Sequence, residues 1–346
     1  MKSKKTLAAL LAAGMSLLLM AGCGSASAPS GSADEKADSN KITFVLDWTP
    51  NTNHTGVYAA DALGYFEEEG LELEIVQPPD DGAEMLVGSG KAEFGVSFQD
   101  TMTPLMTGGK EDGGKTVPVT AVAAVIQHNT SGILSKQGTG ITSPKGMEGK
   151  TYATWELPIE QAIIKRVMED DGGDYSKVEL IPQSVDDEVA ALSSGKIQSI
   201  WVYYAWGGIS AEVQNFPTDY FAFRDIDPVF DYYSPVIIAN DDYLKENPEQ
   251  AKAFLRAVKK GYEYAIAHPD EAAELLCKEV PELASNKELV IASQQYLADQ
   301  YQAEAAAWGI FDADRWNAFY RWINENSLLD TELAENVGFT NDYIQS

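Results

Sequence analysis

Short strand-like and helix-like segments alternate along this chain from residue 41 to residue 203, and this alternation limits the folds open to it. Residues 71–76 alternate polar and apolar side chains as a half-buried strand does, whereas 158–170 place Ile163, Ile164 and Val167 on one helix face. Such alternation predicts an α/β sheet. Roughly 300 residues follow position 40, which is enough for a large core and two lobes.

The individual segments follow from periodicity and from Gly and Pro breaks. The predicted strands are 42–46, 71–76, 93–96, 117–126, 151–154, 177–181 and 197–203. The predicted helices are 59–64, 83–89, 158–170, 186–194 and 249–267, with further helices up to the C-terminus. A helix end, a Gly-Lys turn and a strand occur twice, at 87–95 and at 192–200. This pairing favours two lobes with a cleft between them, although such a turn is also common by itself.

The first 40 residues predict an exported protein. Three lysines precede an apolar stretch at 7–20, which is too short to span a bilayer as a mature helix. Met20-Ala21-Gly22-Cys23 resembles a bacterial lipoprotein cleavage site, so we predict a signal peptide at 1–22 and a lipidated Cys23. The alternative is an ordinary signal peptide with an unrelated cysteine. Residues 23–40 are rich in Ser, Ala and Gly and predict a flexible tether to the extracytoplasmic face of the cell membrane.

The charge and the cysteines exclude several classes of function. A formal net charge of −28 repels nucleic-acid phosphates and anionic headgroups, so we predict no nucleic-acid partner and membrane attachment through the lipid alone. The other cysteine, Cys277, lies in a helical pattern and is expected to be buried. No Cys or His spacing indicates a metal, and we expect no cofactor.

The loop after the first predicted strand carries the most informative residues. Trp48, Asn51, Asn53 and His54 lie between a strand and a helix, where α/β sheets bind ligands. An indole face beside amide and imidazole groups suits a flat, nitrogen-bearing heterocycle. The alternatives are a core tryptophan, turn-forming asparagines after Pro50, and a histidine that only stabilises the loop.

Two further strand ends carry polar and aromatic side chains. Gln99 and Asp100 follow the strand 93–96, and either could bind an exocyclic amine; Asp100 could instead cap a helix. Trp155 and Glu156 follow the strand 151–154. Glu156 would form a charge-assisted pair with a partly cationic aminopyrimidine, or would be a solvated residue of a first helical turn.

Several motifs resemble those of one protein family. They are residues 42–48, His54, Gly64-Tyr65-Phe66, 69–71, Gly88-Ser89-Gly90-Lys91, 145–150, 247–249 and 254–257. Together they resemble the substrate-binding lipoproteins of ABC importers. More narrowly, they resemble the family of bacterial pyrimidine-precursor-binding proteins of thiamine salvage and the yeast-type thiamine pyrimidine synthase. The resemblance extends from about Lys41 to Ala273, but the Gly-Tyr-Phe and Gly-Ser-Gly-Lys elements also occur in sulfonate and nitrate binders.

This resemblance implies a type II periplasmic-binding fold, with two α/β lobes, two hinge crossings and a helical C-terminal region. It would place lobe one at 41–130 and 236–346, lobe two at 131–235, and the ligand in a cleft that closes by hinge motion. Asp231 and Tyr232 would then lie at the second crossing. We favour an aromatic box with Asp231 and Glu156 as polar contacts. The predicted ligand-binding residues are Trp48, Asn51, His54, Gln99, Asp100, Trp155, Glu156, Tyr203, Asp231 and Tyr232.

The synthases of this family carry a lysine that holds pyridoxal phosphate and a histidine four positions later. The corresponding positions here are Ser97 and Thr101, which can neither form a Schiff base nor donate an imidazole. We therefore predict a binding protein with no catalytic residues, and treat a pyrimidine-forming enzyme as the rival class.

The ligand predicted first is an aminopyrimidine precursor of thiamine. Riboflavin and a sulfonate or nitrate are the alternatives, although an anion would favour Arg or Lys in the loops named above, which carry neither. The expected partners are the small heterocyclic ligand and a cognate ABC permease and ATPase, and the protein itself is expected to be a monomer.

Overall fold

The computed structural model describes residues 40–108 and 115–345. The predicted signal peptide, the lipidation site Cys23 and most of the tether lie outside the described residues. Within the described ranges, no helix is both long enough and apolar enough to cross a membrane.

The described residues form two five-stranded sheets, each covered by helices. The first sheet has the order β2-β1-β3-β10-β4 and the second the order β7-β6-β8-β5-β9. The strands are β1 Lys41–Val45, β2 Glu72–Val76, β3 Phe94–Ser97, β4 Val119–Ala124, β5 Ser131–Lys136, β6 Thr151–Thr154, β7 Glu179–Pro182, β8 Ser199–Tyr203, β9 Thr218–Ala222 and β10 Val236–Asn240. Strands β2, β1 and β3 run parallel, as do β7, β6 and β8, whereas β10 and β5 are antiparallel to their neighbours.

The helices connect these strands and build the C-terminal region. They are α1 Thr55–Ala62, α2 Tyr65–Glu68, α3 Ala83–Gly88, α4 Gln99–Thr107, α5 Pro158–Asp170, α6 Glu188–Ser193, α7 Ile209–Val213, α8 Asp241–Glu246, α9 Pro248–Ala267, α10 Pro269–Glu279, α11 Lys287–Tyr301 and α12 Ala313–Glu325. Helix α9 begins at a proline, where the missing N–H costs nothing, and it ends just before Pro269. Its apolar face includes Phe254, Val258 and Tyr262, which are buried.

The chain crosses between the two sheets twice. The outgoing crossing lies between β4 and β5, and the return crossing lies between β9 and β10. The fold class predicted from the resemblance, two α/β lobes with two crossings and a helical C-terminal region, is confirmed.

Three strands were missed by sequence reasoning: β5, β9 and β10. Strand β10 is a short run, Val-Ile-Ile-Ala-Asn, that is buried throughout. Such a run has no alternation, so its periodicity does not distinguish a strand from a buried helix. By contrast, α5 spans 158–170 and β6 spans 151–154 as predicted, because Pro158 and a clear apolar period mark their limits.

Candidate functional site

The carboxyl ends of the two sheets face each other. Phe98 follows β3 in the first lobe, and its ring stacks on that of Tyr203 at the end of β8 in the second lobe. The ring centroids are 5.5 Å apart and the planes differ by 15°. The end of β3 and the end of β8 therefore meet between the lobes, at a place that we call the interlobe cleft. This is the position in which α/β sheets bind ligands.

Asn51 and His54 hold the loop after β1 in shape. The Asn51 side chain accepts from the backbone N–H of Asn53 at 2.9 Å and donates to the carbonyl of Thr49 at 3.0 Å. The Nδ1 atom of His54 accepts from the backbone N–H of Asn51 at 3.1 Å, which places the ring proton on Nε2. Nε2 then donates to Asp47 at 2.6 Å. The polar groups of both predicted residues thus bond within the protein.

Two of the predicted aromatic residues are exposed. Trp48 is 38% exposed and Trp155 is 41% exposed, which is unusual for side chains of this size. Trp155 lies with its ring centroid 5.7 Å from that of Trp201, which is buried against Phe223. An indole that rests on a fixed ring and leaves its other face open can stack on a flat ligand.

Glu160 organises the loop that carries Trp155 and Glu156. This buried carboxylate accepts from the backbone N–H groups of Trp155 and Leu157 at 3.2 Å and from the hydroxyl of Tyr152 at 2.6 Å. It also accepts from the Thr154 hydroxyl at 3.1 Å. Glu156 itself is exposed and has a φ of 62°, a conformation that the bonded loop around it imposes.

Gln99 and Asp100 start α4, and the structure gives them different environments. Gln99 is buried; its Oε1 accepts from the backbone N–H of Tyr233 and its Nε2 donates to the carbonyl of Trp316, both at 3.0 Å. The Oδ2 atom of Asp100 accepts from the hydroxyl of Tyr232 at 3.1 Å. Its Oδ1 atom is buried without a side-chain donor among the described residues, and the backbone N–H groups of Asp100 and Thr101 at the start of α4 favour the charged form of the carboxylate.

Further acidic residues follow the neighbouring strands of the first sheet. Glu84 begins α3 after β2 and accepts from the Ser97 hydroxyl at 2.5 Å, and Asp47 follows β1. Burial raises the pKa of Asp100 to about 6, and burial likewise raises the pKa of Glu84, with a smaller contribution from the charge of Asp47. Burial first, and the charge of Asp100 second, raise the pKa of Tyr203. These groups therefore share one electrostatic environment.

Tyr232 and Asp231 lie on the return crossing but have different partners. Tyr232 is fully buried and stacks on Phe319 of α12 with ring centroids 4.2 Å apart, so its hydroxyl is fixed against Asp100. Asp231 instead bonds the outgoing crossing. Its Oδ2 lies 2.6 Å from Nδ1 of His128, and its Oδ1 accepts from the backbone N–H of Asn129 at 2.9 Å.

The structure thus brings Asp100, Tyr203 and Tyr232 together in the cleft, and leaves Trp48 and Trp155 exposed on loops beside it. The binding role of each predicted residue stays a prediction. Sequence reasoning missed Glu84, Asp47 and Phe98 as members of the site. The signal for Glu84 was its position just after the strand at 71–76, since the carboxyl ends of neighbouring parallel strands share one edge.

Comparison with known proteins identifies the family to which this chain belongs. A family model described as NMT1/THI5 like matches residues 51–272. The chain belongs to this family. The resemblance predicted from the motifs is therefore confirmed.

Two relatives of this chain differ in their names: one is named as a binding protein and the other as an enzyme. The chain is similar to the formylaminopyrimidine-binding protein of Halalkalibacterium halodurans, with 29% identity over 98% of this chain and 99% of that protein. It is also similar to the 4-amino-5-hydroxymethyl-2-methylpyrimidine phosphate synthase THI11 of Saccharomyces cerevisiae, with 27% identity over 67% of this chain and 69% of that protein.

Solved structures share the fold at low sequence identity. The alkanesulfonate-binding protein SsuA of Xanthomonas axonopodis pv. citri, bound to MOPS, superposes with a TM-score of 0.64 over 87% of this chain and 98% of that chain, at 12% identity. This likeness supports the type II periplasmic-binding fold, and at such identity it supports the fold alone.

Proposed function

We propose that this protein captures an aminopyrimidine precursor of thiamine in the interlobe cleft. The observation that carries the proposal is the set of groups that meet there. The Phe98 and Tyr203 rings lie beside Asp100, whose buried Oδ1 has no side-chain donor among the described residues. A flat ring with an exocyclic amine uses both kinds of group, because it stacks through its face and donates from its edge. The similarity to a formylaminopyrimidine-binding protein over nearly the whole chain supports the same ligand class.

We propose that the protein binds this ligand without converting it. The positions at which the synthases of the family carry lysine and histidine are Ser97 and Thr101 here. Ser97 is buried and donates its hydroxyl to Glu84. Neither residue has the amine that a Schiff base requires.

The same proposal includes the cellular setting. A binding protein lipidated at Cys23 would be held at the extracytoplasmic face of the membrane and would deliver its ligand to an ABC permease and its ATPase. Firm anchoring requires more than one acyl chain, which a bacterial lipoprotein modification supplies. Labelling of the expressed protein with a radioactive fatty acid, lost in a Cys23→Ala variant, checks this part.

A thermal-shift screen tests the ligand class. The purified protein is mixed separately with 4-amino-5-hydroxymethyl-2-methylpyrimidine, its N-formylated 5-aminomethyl analogue, riboflavin, an alkanesulfonate and nitrate. A ligand present at 100 times its Kd should add about 2.7 kcal/mol to the free energy of unfolding. We expect the shift with the aminopyrimidines only. Stabilisation by the sulfonate or nitrate alone would contradict the proposal, and so would turnover of the pyrimidine during incubation.

The exposed indoles provide the matched variants for this screen. We expect Trp48→Ala and Trp155→Ala to lose most of the aminopyrimidine shift, because each removes a stacking surface without opening the core. Leu63→Ala serves as the control, since Leu63 is as exposed as Trp48 but lies at the far end of α1. An unchanged shift in either tryptophan variant would remove that residue from the site.

A further inference from the structure

One segment of the second lobe packs into the first lobe. Residues Tyr204–Gly208, which we call the clasp segment, form a π-helical turn between β8 and α7. Ala205 is buried in an apolar cluster of the first lobe that includes Leu297 and Tyr301 of α11. Trp206 packs against a second apolar cluster, which α10, α11 and the turn between them provide. Single π-helical turns are rare and occur frequently at functional sites.

The side chain of Ser293 joins the clasp segment to the loop after β1. Ser293 lies on α11, is fully buried and donates its hydroxyl to the backbone carbonyl of Ala205. The same Oγ atom lies 2.5 Å from the hydroxyl oxygen of Thr52. A carbonyl oxygen can only accept, so the one hydroxyl proton of Ser293 is used at Ala205 and Thr52 is the donor at the other contact. The three groups therefore form one directed chain of hydrogen bonds.

Both ends of this chain lie close in sequence to candidate ligand-binding residues. Thr52 lies four residues after Trp48, in the loop after β1. Ala205 lies two residues after Tyr203, whose ring stacks on a ring of the first lobe across the cleft. Hydrogen bonds in a chain polarise one another, so the loss of one weakens the next. The chain therefore gives the two loops a physical reason to move together.

We infer that Ser293 is a positioning residue that couples the loop after β1 to the clasp segment. Its hydroxyl holds two loops that border the cleft, one in each lobe, without itself contacting the ligand. When the lobes separate by hinge motion, the bond from Ser293 to Ala205 has to break, because its two ends belong to different lobes. This inference goes beyond the proposed function, since it concerns a contact between the lobes and applies to any ligand of the cleft.

Hydrogen exchange of the purified protein tests the coupling without any ligand. Thr52→Val keeps the size of the side chain and removes its donor. We expect this variant to raise the exchange rate of the backbone N–H groups in 204–208 about threefold, although Thr52 has no hydrogen bond of its own to that segment among the described residues. Ser293→Ala should raise the exchange of both 48–54 and 204–208. Thr52→Ser, which keeps the hydroxyl, should exchange as the unaltered protein does.

Ser135→Ala is the matched control for Ser293→Ala. Ser135 is equally buried and donates to a backbone carbonyl, that of Ile141, at 3.0 Å, but both of these residues lie in the second lobe. Each substitution removes one buried bond from a serine hydroxyl to a carbonyl, so each should lower the free energy of unfolding. Only Ser293→Ala should raise the exchange at 48–54 and 204–208.

Stopped-flow tryptophan fluorescence with the N-formylated 5-aminomethyl pyrimidine measures the effect on binding, and this second experiment rests on the proposed function. We expect Ser293→Ala to speed dissociation about tenfold, because the closed lobes lose a buried hydrogen bond, and to change the association rate by less than about twofold. A variant that was only partly folded would show a smaller amplitude with both rates unchanged.

The outcomes separate the inference from the proposed function. Unchanged exchange at 204–208 in Thr52→Val, or an equal increase in Ser135→Ala, would overturn the inference. A dissociation rate that Ser293→Ala left unaltered would also overturn it, and the proposed function would stand. If the pyrimidine did not bind to the unaltered protein, the proposed function would fail, and the exchange experiment would still decide the inference.

Discussion

A single buried residue, Glu160, shows how local chemistry shapes the cleft. Its carboxylate accepts hydrogen bonds from two backbone N–H groups and two hydroxyls, so the loop from Thr154 to Leu157 is wound around it. That winding leaves the Trp155 indole exposed. The residue lies at the third position of α5, where a Glu commonly bonds back to the start of a helix.

Glu160→Ala should therefore destabilise the protein by about 3 kcal/mol, because it leaves several buried donors without an acceptor. We expect weaker aminopyrimidine binding as well, since Trp155 loses its support. Urea denaturation and calorimetry measure the two effects. Glu169→Ala, at an exposed position of the same helix, should change stability by less than about 0.5 kcal/mol. Equal effects of the two substitutions would contradict this account.

At the scale of elements, the close contact between α1 and α9 sets the position of the loop after β1. Gly56 and Gly261 face each other so closely that a Cβ atom on Gly261 would lie 1.9 Å from the carbonyl oxygen of Gly56. The neighbouring Tyr262 donates its hydroxyl to the carbonyl of Asn53 at 2.5 Å. The loop that carries Trp48 is thus hydrogen-bonded to α9 through Asn53, close to where the loop meets α1.

Gly261→Ala should move α9 away from α1 and cost about 1–3 kcal/mol, the usual range for an overpacked contact. Ligand affinity should fall with it, because the loop before α1 moves too. Thermal unfolding and ligand titration check both effects. The neighbouring Glu263→Ala keeps the helix and faces solvent, so it should change neither.

At the scale of the whole molecule, ion pairs join the two crossings between the lobes, which a hinge motion would move. His128 on the outgoing crossing lies 2.6 Å from Asp231 on the return crossing and 2.7 Å from Glu304. Arg315 of α12 pairs with the same Glu304 at 3.2 Å. Because both ring nitrogens of His128 face carboxylates, both carry protons and the ring is charged.

The charge of His128 predicts a pH dependence of stability. Its hydrogen bond to Asp231 is the largest of the effects that raise its pKa above the ordinary value of about 6.5. A raised pKa means that the folded state holds the proton more tightly, so the stabilisation is complete below about pH 6.5 and is lost as the pH rises through the folded value. His128→Gln should therefore lower the free energy of unfolding by about 1 kcal/mol at pH 6 and by less at pH 9.

Chemical denaturation of the unaltered protein and the variant at both pH values measures this difference. His268→Gln is the control, because His268 is exposed between α9 and α10 and forms no ion pair with a carboxylate of the described residues. A His128→Gln effect that did not diminish with pH would show that the imidazole acts through packing rather than charge.

Much of the first lobe was predictable because its strands and helices have local signals. Strand β2 alternates along its length, and α3 and β3 are separated by a Gly-Lys turn. Strand β10 has no such signal and joins the first sheet from a position more than 100 residues downstream of β4. Its place depends on the return crossing, which no local pattern specifies.

Part of the candidate site could likewise be predicted from the sequence, and part of it could not. That Asp100 and Trp155 follow strands, and that Tyr203 lies at the end of one, could be predicted. The hydrogen-bond partners of Asn51, His54 and Gln99 could not be predicted, because an amide or imidazole beside a strand end can bond equally well to a ligand or to the backbone. Contacts with Tyr233 and Trp316, far along the chain, decide the orientation of Gln99.

By itself, then, the sequence determined the family, the two-lobed fold class and the strand ends from which the cleft is built, because periodicity and short motifs are local properties. Only the tertiary structure decided which side chains bond within the protein and which lie exposed beside the cleft. The reason is physical. Hydrogen-bond satisfaction and burial depend on residues that are distant in the chain and close in space, as Asp100 and Tyr232 are.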